Sequence, residues 1–284
     1  ATTEFGAHIT GVTLSTGADN SSTSLSGAVS GAGALVKEGT GTFTLSGSNL
    51  FSGGLAVNTG TLALGSANAL GSGAATVASG AALDLQGNSV ANALTLAGTG
   101  VSAGGLSGAL YDSSANAATA SGAITLGADT LIKNTGALNL STIDGAYALT
   151  LRPTGTLTLA GDIGLTSAPT SLSAVQDLSS VGATGTTVIS AATVKTVGAQ
   201  TYGNLNISTA PASPTTLRTL GGNLQVLGTI NAGIAGGNLV VNIGAGNLTL
   251  ANNAALRTDS AIPAFTKSIT LGTGGGTVDT NNNW

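Results

Sequence analysis

Three short phrases that recur along the chain decide the predicted fold: residues 39–47 read GTGTFTLSG, residues 59–65 read TGTLALG, and residues 79–87 read SGAALDLQG. In each phrase a glycine precedes a run in which aliphatic and polar residues alternate, and this alternation is typical of a β-strand with one buried face. The phrases follow one another at about 20 residues, the length of one coil of a β-helix that contains several short strands and turns. Reuse of one phrase at this period predicts a solenoid.

Alternating runs of the same kind continue along the chain, for example at residues 94–96, 124–126, 156–159 and 248–250. Helix signals are nearly missing, because Gly, Thr, Ser and Asn interrupt every stretch with a helical period. A sandwich or barrel usually needs large aromatic core residues, whereas aromatic residues make up 3% of this chain. We therefore predict an all-β fold, a right-handed parallel β-helix, with Leu, Val and Ile stacked inside and Thr, Asn or Asp facing outward.

The composition excludes several other classes of protein. Charged residues make up only 6% of the chain, so its surface must consist of hydroxyls, amides and backbone, while the 42% of hydrophobic residues argues against disorder. A net charge of −4 with seven Lys and Arg argues against a nucleic-acid partner, which requires a basic stripe. The absence of cysteine excludes disulfides and thiolate metal sites. No apolar run approaches the roughly 18 to 20 residues of a membrane span, so we expect no membrane insertion by this segment.

A family resemblance is carried by residues 33–49, GALVKEGTGTFTLSGSN, followed by FSGG at 51–54 and NTGTL at 58–62. This long ordered phrase resembles the autotransporter-associated β-strand repeat of bacterial passenger domains. Residues 143–151, IDGAYALTL, and 197–202, VGAQTY, resemble repeats in filamentous haemagglutinin-like surface proteins. The two resemblances imply a right-handed β-helix on, or released from, a Gram-negative-type cell surface, and they imply no catalytic residues.

The predicted organisation is one continuous β-solenoid segment, residues 1–284, of a larger repeat protein. Residues 1–30 form a lead-in coil, 31–100 the autotransporter-associated repeat coils, 101–121 a loop-like insertion, and 122–284 further haemagglutinin-like coils. The insertion is expected because residues 101–121 contain much Ala, Ser and Gly and little aliphatic alternation. Both ends still read as strand phrases, so we expect the solenoid to continue beyond them or to be covered by another copy of the molecule.

The sequence indicates no catalytic, cofactor-binding or metal-binding residue. His8 is the only histidine, so a Ser-His-Asp triad would have to use it, yet no nucleophile motif lies beside it. The glycine-rich residues 272–277 resemble a phosphate loop but lack the following Lys-Ser or Lys-Thr. We interpret both features as surface structure.

The acidic and aromatic residues are too scattered to indicate an enzyme. Residues one coil apart can stack, so sequence distance alone leaves a pair of carboxylates for glycoside cleavage open. Such enzymes need clustered acids and usually a basic or aromatic platform for the sugar, and we interpret the aspartates as corner caps and solvated turns. The isolated acids include Asp84, Asp129, Asp144, Asp162, Asp177 and Asp259, and the Tyr and Trp residues are Tyr111, Tyr147, Tyr202 and Trp284.

Asparagines recur near the predicted coil corners, and equivalent amides could form hydrogen-bonded ladders if the coils are in register. The asparagines considered for such ladders are Asn204, Asn206, Asn223, Asn238, Asn242 and Asn247. A ladder of this kind would stabilise the fold without charge.

Three functions remain open from the sequence. The first is a structural stalk or filament segment of an extracellular, cell-surface adhesin-type protein, with end-to-end self-association or continuation of the same chain. The second is a module that binds a carbohydrate or a receptor on a host or neighbouring cell, with the region around Tyr111 as the contact. The third is a polysaccharide-cleaving enzyme of the pectate-lyase kind. Exposed aromatic residues would favour binding, and stacked acids in a groove would favour catalysis.

Overall fold

A computed structural model describes residues 12–101, 108–175, 185–207 and 215–228, together with short strands outside these ranges. Within this described part the chain is all-β without a helix, and the ladders for which register is defined are parallel. The predicted parallel β-solenoid is therefore confirmed. The chain divides into two compact units, residues 1–143 and 144–284.

The first unit is built from short strands joined by corners. Its strands are β1 (Thr2–Thr3), β2 (Ala7–His8), β3 (Thr13–Thr16), β4 (Thr23–Leu25), β5 (Val29–Gly31), β6 (Ala34–Lys37), β7 (Thr42–Leu45), β8 (Leu50–Phe51), β9 (Leu55–Val57), β10 (Gly60–Leu64), β11 (Ala75–Val77), β12 (Ala81–Asp84), β13 (Leu94–Gly98), β14 (Leu110–Asp112), β15 (Ala118–Ala120), β16 (Ile124–Asn134) and β17 (Leu138–Leu140), and β18 (Ile143–Asp144) lies at the unit boundary.

The second unit repeats this construction. Its strands are β19 (Ala148–Pro153), β20 (Thr156–Leu159), β21 (Ser171–Ala174), β22 (Thr186–Ile189), β23 (Thr193–Thr196), β24 (Gln200–Tyr202), β25 (Asn204–Ile207), β26 (Thr215–Thr219), β27 (Leu224–Val226), β28 (Ile230–Asn231), β29 (Leu239–Asn242), β30 (Leu248–Leu250), β31 (Ala255–Arg257), β32 (Ile269–Leu271) and β33 (Thr277–Asp279).

Successive coils of the first unit add strands to three parallel ladders. The first ladder runs β3, β6, β9, β11, β13 and the start of β16. The second runs β1, β4, β7, β10, β12, β14 and the end of β16. The third contains β2, β5 and β8, and further along β15 pairs with β17 in a separate sheet.

The three phrases that predicted the solenoid lie on neighbouring coils of the second ladder. Phe43 pairs with Leu62, and Leu62 pairs with Leu83. The spacing of about 20 residues is therefore the length of one coil, because hydrogen bonds such as Asn49 Nδ2 to Ala69 O join residues 20 apart. The phrase spacing predicted the register correctly.

The aliphatic residues of the alternating runs form the core. Leu62, Leu83 and Leu157 are fully buried, whereas the neighbouring Thr61 and Thr158 remain half-buried on the outward side. Burying aliphatic side chains in this way contributes roughly 1.5 to 3 kcal/mol for each large residue. The predicted inward and outward positions are confirmed at these residues.

Glycine at the coil corners is required by both conformation and space. Gly39 and Gly60 lie at equivalent corners and both have φ of 68°, in the left-handed region that side chains disfavour. A Cβ on Gly39 would lie only 1.9 Å from the carbonyl oxygen of Gly17, and one on Gly60 would lie 2.4 Å from the carbonyl oxygen of Gly39. The coils can approach this closely only because the corner carries no side chain.

The second unit has the same three-ladder pattern with longer and less even coils. One ladder runs β19, β21, β24, β27, β30 and β32. A second runs β20, β22, β25 and β28. The third runs β23, β26 and β29, and a bridge between Ile163 and Val194 extends it to the preceding coil.

The structure differs from the prediction of a loop-like insertion over residues 101–121. Two strands of the ladders lie inside that range, Leu110–Asp112 and Ala118–Ala120. They lack aliphatic alternation, but hydrogen bonds from the neighbouring coils hold them as strands, for example from Leu83 N to Ala109 O. Tertiary pairing here overrides a weak local preference for the β conformation.

Candidate functional site

Two aspartates that are 28 positions apart in the sequence meet at one corner of the first unit. Asp84 ends β12 and Asp112 ends β14, on neighbouring coils of the second ladder. Asp84 pairs with Tyr111 in register, which brings the two acids close together. Two acids from neighbouring coils therefore lie near each other at this corner, although Asp84 is in register with Tyr111 and not with Asp112.

Asp84 holds the corner of the next coil. Its Oδ1 accepts hydrogen bonds from Gln86 N at 3.1 Å and from Ser113 N at 3.1 Å, and its Oδ2 accepts one from Ser113 Oγ at 2.8 Å. The side chain was expected on the outward face, but it is only 3% exposed. The carboxylate can be buried because Oδ1 accepts from backbone N–H groups and Oδ2 accepts from the Ser113 hydroxyl, and these bonds satisfy the charge without contact with water.

Asp112 makes the reciprocal connection to the preceding coil. Its Oδ1 accepts hydrogen bonds from Gly87 N at 2.8 Å and from Ser114 N at 3.2 Å. Its Oδ2 is buried without a hydrogen-bond partner. Burial raises the pKa of the Asp112 carboxyl, the two backbone hydrogen bonds oppose this shift, and the charge of Asp84 adds to it.

Tyr111 lies in the ladder instead of on a protruding loop. It is half-buried between Asp84 on one neighbouring strand and Lys133 on the other. Burial, together with the Asp84 carboxylate, raises the pKa of the Tyr111 hydroxyl. Its position differs from the exposed contact that the binding hypothesis placed in this region.

At this corner the two carboxylates connect neighbouring coils through hydrogen bonds. Asp84 and Asp112 are 3% and 1% exposed, so a polysaccharide has no access to their carboxylates. One oxygen of each aspartate accepts hydrogen bonds from backbone N–H groups of the corner. Across the residues that the structure describes, no group of three or more His, Cys, Asp or Glu could hold a metal ion. The described residues also contain no helix with the length and hydropathy to cross a membrane.

Other predicted aspartates also cap corners. Asp144 accepts hydrogen bonds from Thr166 N and Ser167 N, and Asp162 Oδ1 accepts one from Thr193 N at 2.7 Å. Both contacts join neighbouring coils, as corner caps do. The side chains of His8, Asp177, Asp259 and Trp284 and, of the glycine-rich stretch, residues 272–276 lie outside the described residues.

The remaining tyrosines are not gathered into a sugar platform. Tyr147 is 42% exposed, whereas Tyr202 is fully buried. The Tyr202 hydroxyl donates to Gln200 Oε1 at 3.0 Å, and Gln200 Nε2 donates to Arg218 O at 2.9 Å. Burial raises the pKa of the Tyr202 hydroxyl. This polar network inside the core gave no sequence signal, because Gln200 occupies a register position where neighbouring coils place leucine.

Asparagine and lysine side chains also join coils from inside the first unit. Buried Asn49 accepts a hydrogen bond from Val29 N at 2.8 Å and donates one to Ala69 O at 2.7 Å. Lys37, also fully buried, donates through Nζ to the carbonyl oxygens of its own corner and of Thr59. Burial lowers the pKa of Lys37. These contacts fix the register of neighbouring coils.

At Asn223 and Asn247, two of the asparagines considered for amide ladders, the contact between coils has a different form. Asn223 Oδ1 accepts a hydrogen bond from the backbone N of Asn247 at 3.0 Å. In the first unit, Asn92 Nδ2 likewise donates to the carbonyl oxygens of Gly71 and Gly73. These asparagines link coils through side chain to backbone bonds, while Asn238 lies outside the described residues.

A recess of about 480 Å³ lies beside β3 and β4 in the first unit. It is lined by Leu14, Leu25 and Phe43 together with small polar residues of the corner that contains Asp19. The Asp19 carboxylate is already hydrogen-bonded to Ser21. The recess is therefore a gap in apolar packing and assembles no reactive groups.

Comparison with known proteins confirms the class of protein that the repeat and the solenoid indicate. The passenger-associated-transport repeat family matches residues 35–64, which extend from β6 to the end of β10. The chain thus carries a repeat of autotransporter passenger domains on a parallel β-solenoid. The resemblance of the later coils to filamentous haemagglutinin-like repeats stays a prediction.

A particular relative gives the second comparison. Over 142 residues the chain is 39% identical to the adhesin BmaC autotransporter of Brucella suis biovar 1 (strain 1330). The match covers 47% of this chain but only 4% of the relative, so the chain corresponds to a small part of that protein's length. No solved structure matches the chain significantly.

Proposed function

We propose that this chain is a structural stalk segment of an extracellular adhesin on, or released from, a bacterial cell surface. The observation that carries the proposal is the in-register stacking of repeated coils, in which Phe43, Leu62 and Leu83 occupy one position on three neighbouring coils. A structure built from such coils gains length with each repeat and needs no new core design. The similarity to an autotransporter adhesin supports placement at the cell surface.

The use of polar groups supports a spacer role. Asp84, Asp112 and Asn49 all hold neighbouring coils together through backbone hydrogen bonds. Polar residues that could have formed a reactive groove are therefore committed to cohesion between coils. We propose on this basis that the segment is not an enzyme, and that a polysaccharide-cleaving activity is absent.

The partners implied by this function are the adjoining parts of the same chain, other copies that associate end to end, and the surface glycans or proteins of neighbouring or host cells. The relative is named an adhesin, and adhesion to such surfaces is proposed here for the whole protein of which this chain is a part. The spacer would hold a contact region away from the cell.

Deletion of one coil tests the stalk function. Leu35 pairs with Leu55, and Leu55 pairs with Ala75, so removing residues 55–74 from the full-length protein joins Gly54 to Ala75 with the register preserved. We expect bacteria that display this variant to adhere to cultured cells as well as those with the parent protein. The displayed protein should be shorter by about 4.8 Å, the spacing of neighbouring strands.

The matched control removes half a coil, residues 55–64, which leaves Val36 and Thr42 facing strands that are out of register. This variant should reach the surface in lower amount because its ladders cannot close. Antibody staining of intact cells would measure display in both cases. Loss of adhesion by the whole-coil variant at unchanged display would overturn the spacer role and favour a contact surface in these coils.

A further inference from the structure

Two cationic side chains lie on neighbouring coils of the second unit. Lys195 on β23 pairs in register with Arg218 on β26. Both point outward, since their strand neighbours Val194 and Leu217 are buried while Lys195 is half-buried and Arg218 is exposed. Neighbouring strands are about 4.8 Å apart, so the two charges are held side by side.

This arrangement is unfavourable without an anion. Like charges directly opposite each other on paired strands destabilise a sheet, and only seven Lys and Arg occur in the whole chain. In the described part of the second unit, neither cationic group forms an ion pair with a carboxylate. Asp162 on the preceding coil instead accepts a hydrogen bond from Thr193 N at 2.7 Å. Within the described residues, no salt bridge therefore neutralises either cation.

Hydroxyl groups accompany the cations. Thr193 pairs with Thr216 two positions before Lys195 and Arg218, and both threonines are half-buried on the same outward side. Beyond Arg218, the next coil places exposed Asn242 in register with it. A hydroxyl and an amide can each donate and accept hydrogen bonds, which suits the hydroxyl groups of a sugar.

Exposed apolar residues border the same strands. Val197 and Leu220 follow two positions after the cations and are 49% and 47% exposed. They lie on neighbouring coils, because Leu220 N donates to Thr196 O at 3.0 Å. The face thus combines two cations, hydroxyl groups and an apolar edge, as polar groups and apolar surface combine in ligand sites.

We propose that this face, the basic strip defined by Lys195 and Arg218 with Thr193, Thr216, Val197 and Leu220, binds an acidic polysaccharide. The sulfate or carboxylate groups of the polymer lie between the ammonium and guanidinium groups. The threonine hydroxyls bind sugar hydroxyl groups, and the apolar edge packs against the carbon-bound hydrogens of the sugar ring. This binding goes beyond the stalk function, which rests on the stacking of coils and would survive its loss.

The test uses the whole chain and immobilised dextran sulfate, with neutral dextran as the uncharged polymer. Binding is measured by biolayer interferometry at low salt and again at increasing salt. Replacing both cations, by Lys195→Gln and Arg218→Gln, should weaken binding to dextran sulfate by about tenfold or more, because charge-assisted hydrogen bonds are lost. Binding by the parent chain should fall as salt rises.

The matched control removes the same charge elsewhere, by Lys133→Gln and Arg152→Gln. Arg152 lies on β19, where its Nη1 is close to Val175 O at 3.4 Å, and Lys133 lies in the first unit on β16. This variant should bind dextran sulfate within about twofold of the parent chain, since bulk net charge contributes little at a short-range site. Thermal melts establish that both double variants are folded.

Three results would overturn the assignment. The first is that the parent chain shows no binding to dextran sulfate at low salt. The second is that both double variants lose binding equally. The third is that inorganic polyphosphate binds the basic strip as tightly as dextran sulfate does, which would leave no role for the sugar. None of these results would change the outcome of the 55–74 deletion experiment, which tests the stalk function. Failure of the polysaccharide-binding proposal can therefore be distinguished from failure of the stalk function.

Discussion

A corner glycine of the first unit can be required by its positive φ, by the close approach of a neighbouring coil, or by both. Alanine substitutions at two corners separate these two effects. Gly39 and Gly80 have φ of 68° and 85°, so alanine at either position is strained by roughly 1 kcal/mol. A Cβ at position 39 would also meet the carbonyl oxygen of Gly17 at 1.9 Å, whereas one at position 80 meets nothing within 4 Å. We expect Gly39→Ala to lower the free energy of unfolding well beyond the loss caused by Gly80→Ala.

Urea denaturation followed by circular dichroism measures both losses on the same chain. Gly80→Ala is the internal control, since it carries the conformational strain without the steric contact. Equal losses for the two variants would show that the coils move apart freely at this corner, contrary to the close approach described above.

The buried carboxyl of Asp112 predicts a dependence of stability on pH. Its folded-state pKa is raised above the ordinary value of 3.8, so its contribution to stability is fully present at lower pH and is lost as the pH rises through the folded-state pKa. Asp112→Asn retains an oxygen that can accept from Gly87 N and Ser114 N but carries no charge. The stability of this variant relative to the parent chain should therefore increase between about pH 3 and pH 7.

Chemical denaturation at several pH values gives the relevant difference between the two proteins. Asp112→Ala serves as a second variant, because it also removes the acceptor and should be about 1 to 3 kcal/mol less stable than Asp112→Asn at every pH. A difference between Asp112→Asn and the parent chain that stays constant with pH would contradict a raised pKa at this position.

At the scale of the strand and its corner, one buried amide connects three coils. Asn49 bonds to Val29 N and to Ala69 O, each 20 residues away. Asn49→Ala leaves both backbone groups without these partners inside the protein, and we expect a loss of about 2 to 5 kcal/mol in the free energy of unfolding. Thermal or urea unfolding measures it.

Asn68→Ala is the matched control for this prediction. Asn68 is exposed, and its Nδ2 makes a single long hydrogen bond of 3.3 Å to Ser48 Oγ. Its removal should change the stability by less than about 0.5 kcal/mol. If Asn49→Ala were as mild as Asn68→Ala, water would be replacing the lost contacts and the amide would not hold the coils together.

The predictability of each strand depends on how much of its pattern is local. The run from Gly60 to Leu64 alternates and follows a glycine corner, so its sequence alone indicates a strand and its inward side. Ala118–Ala120 has no such pattern and forms a strand because the neighbouring coil provides a template, with Ala118 N bonded to Ala137 O. Its strand character is set by residues remote in the sequence.

The candidate site was less predictable than the ladders for the same reason. Asp84 occupies an outward position in a correctly predicted strand, yet it is buried because Ser113 and Tyr111 arrive from the next coil. Its partner Asp112 lies in a range that was predicted to be a loop. The pairing of these acids depends on a coil of unequal length, and a spacing of about 20 residues does not predict it.

For the whole molecule, the low charge predicts association between copies. A net charge of −4 over 284 residues provides little electrostatic repulsion. We expect the sedimentation coefficient of the purified chain to increase with concentration. A variant with Thr76→Glu and Thr158→Glu, which adds negative charge on outward positions, should shift the distribution toward the monomer. A parent chain that remains strictly monomeric at all concentrations would exclude self-association.

The nearly constant distance between bonded partners in the coils before residue 84 also bears on how quickly such a chain can fold. Each of these coils pairs with residues about 20 positions away, as in the bonds from Asn49 to Ala69 and from Thr40 to Asn20. The entropy lost in closing each of these loops is therefore nearly the same, and the mean sequence separation of contacts relative to chain length decreases as coils are added. A chain of this design can become longer without a higher entropic barrier to the next folding step, because every completed coil provides the edge on which the following one forms.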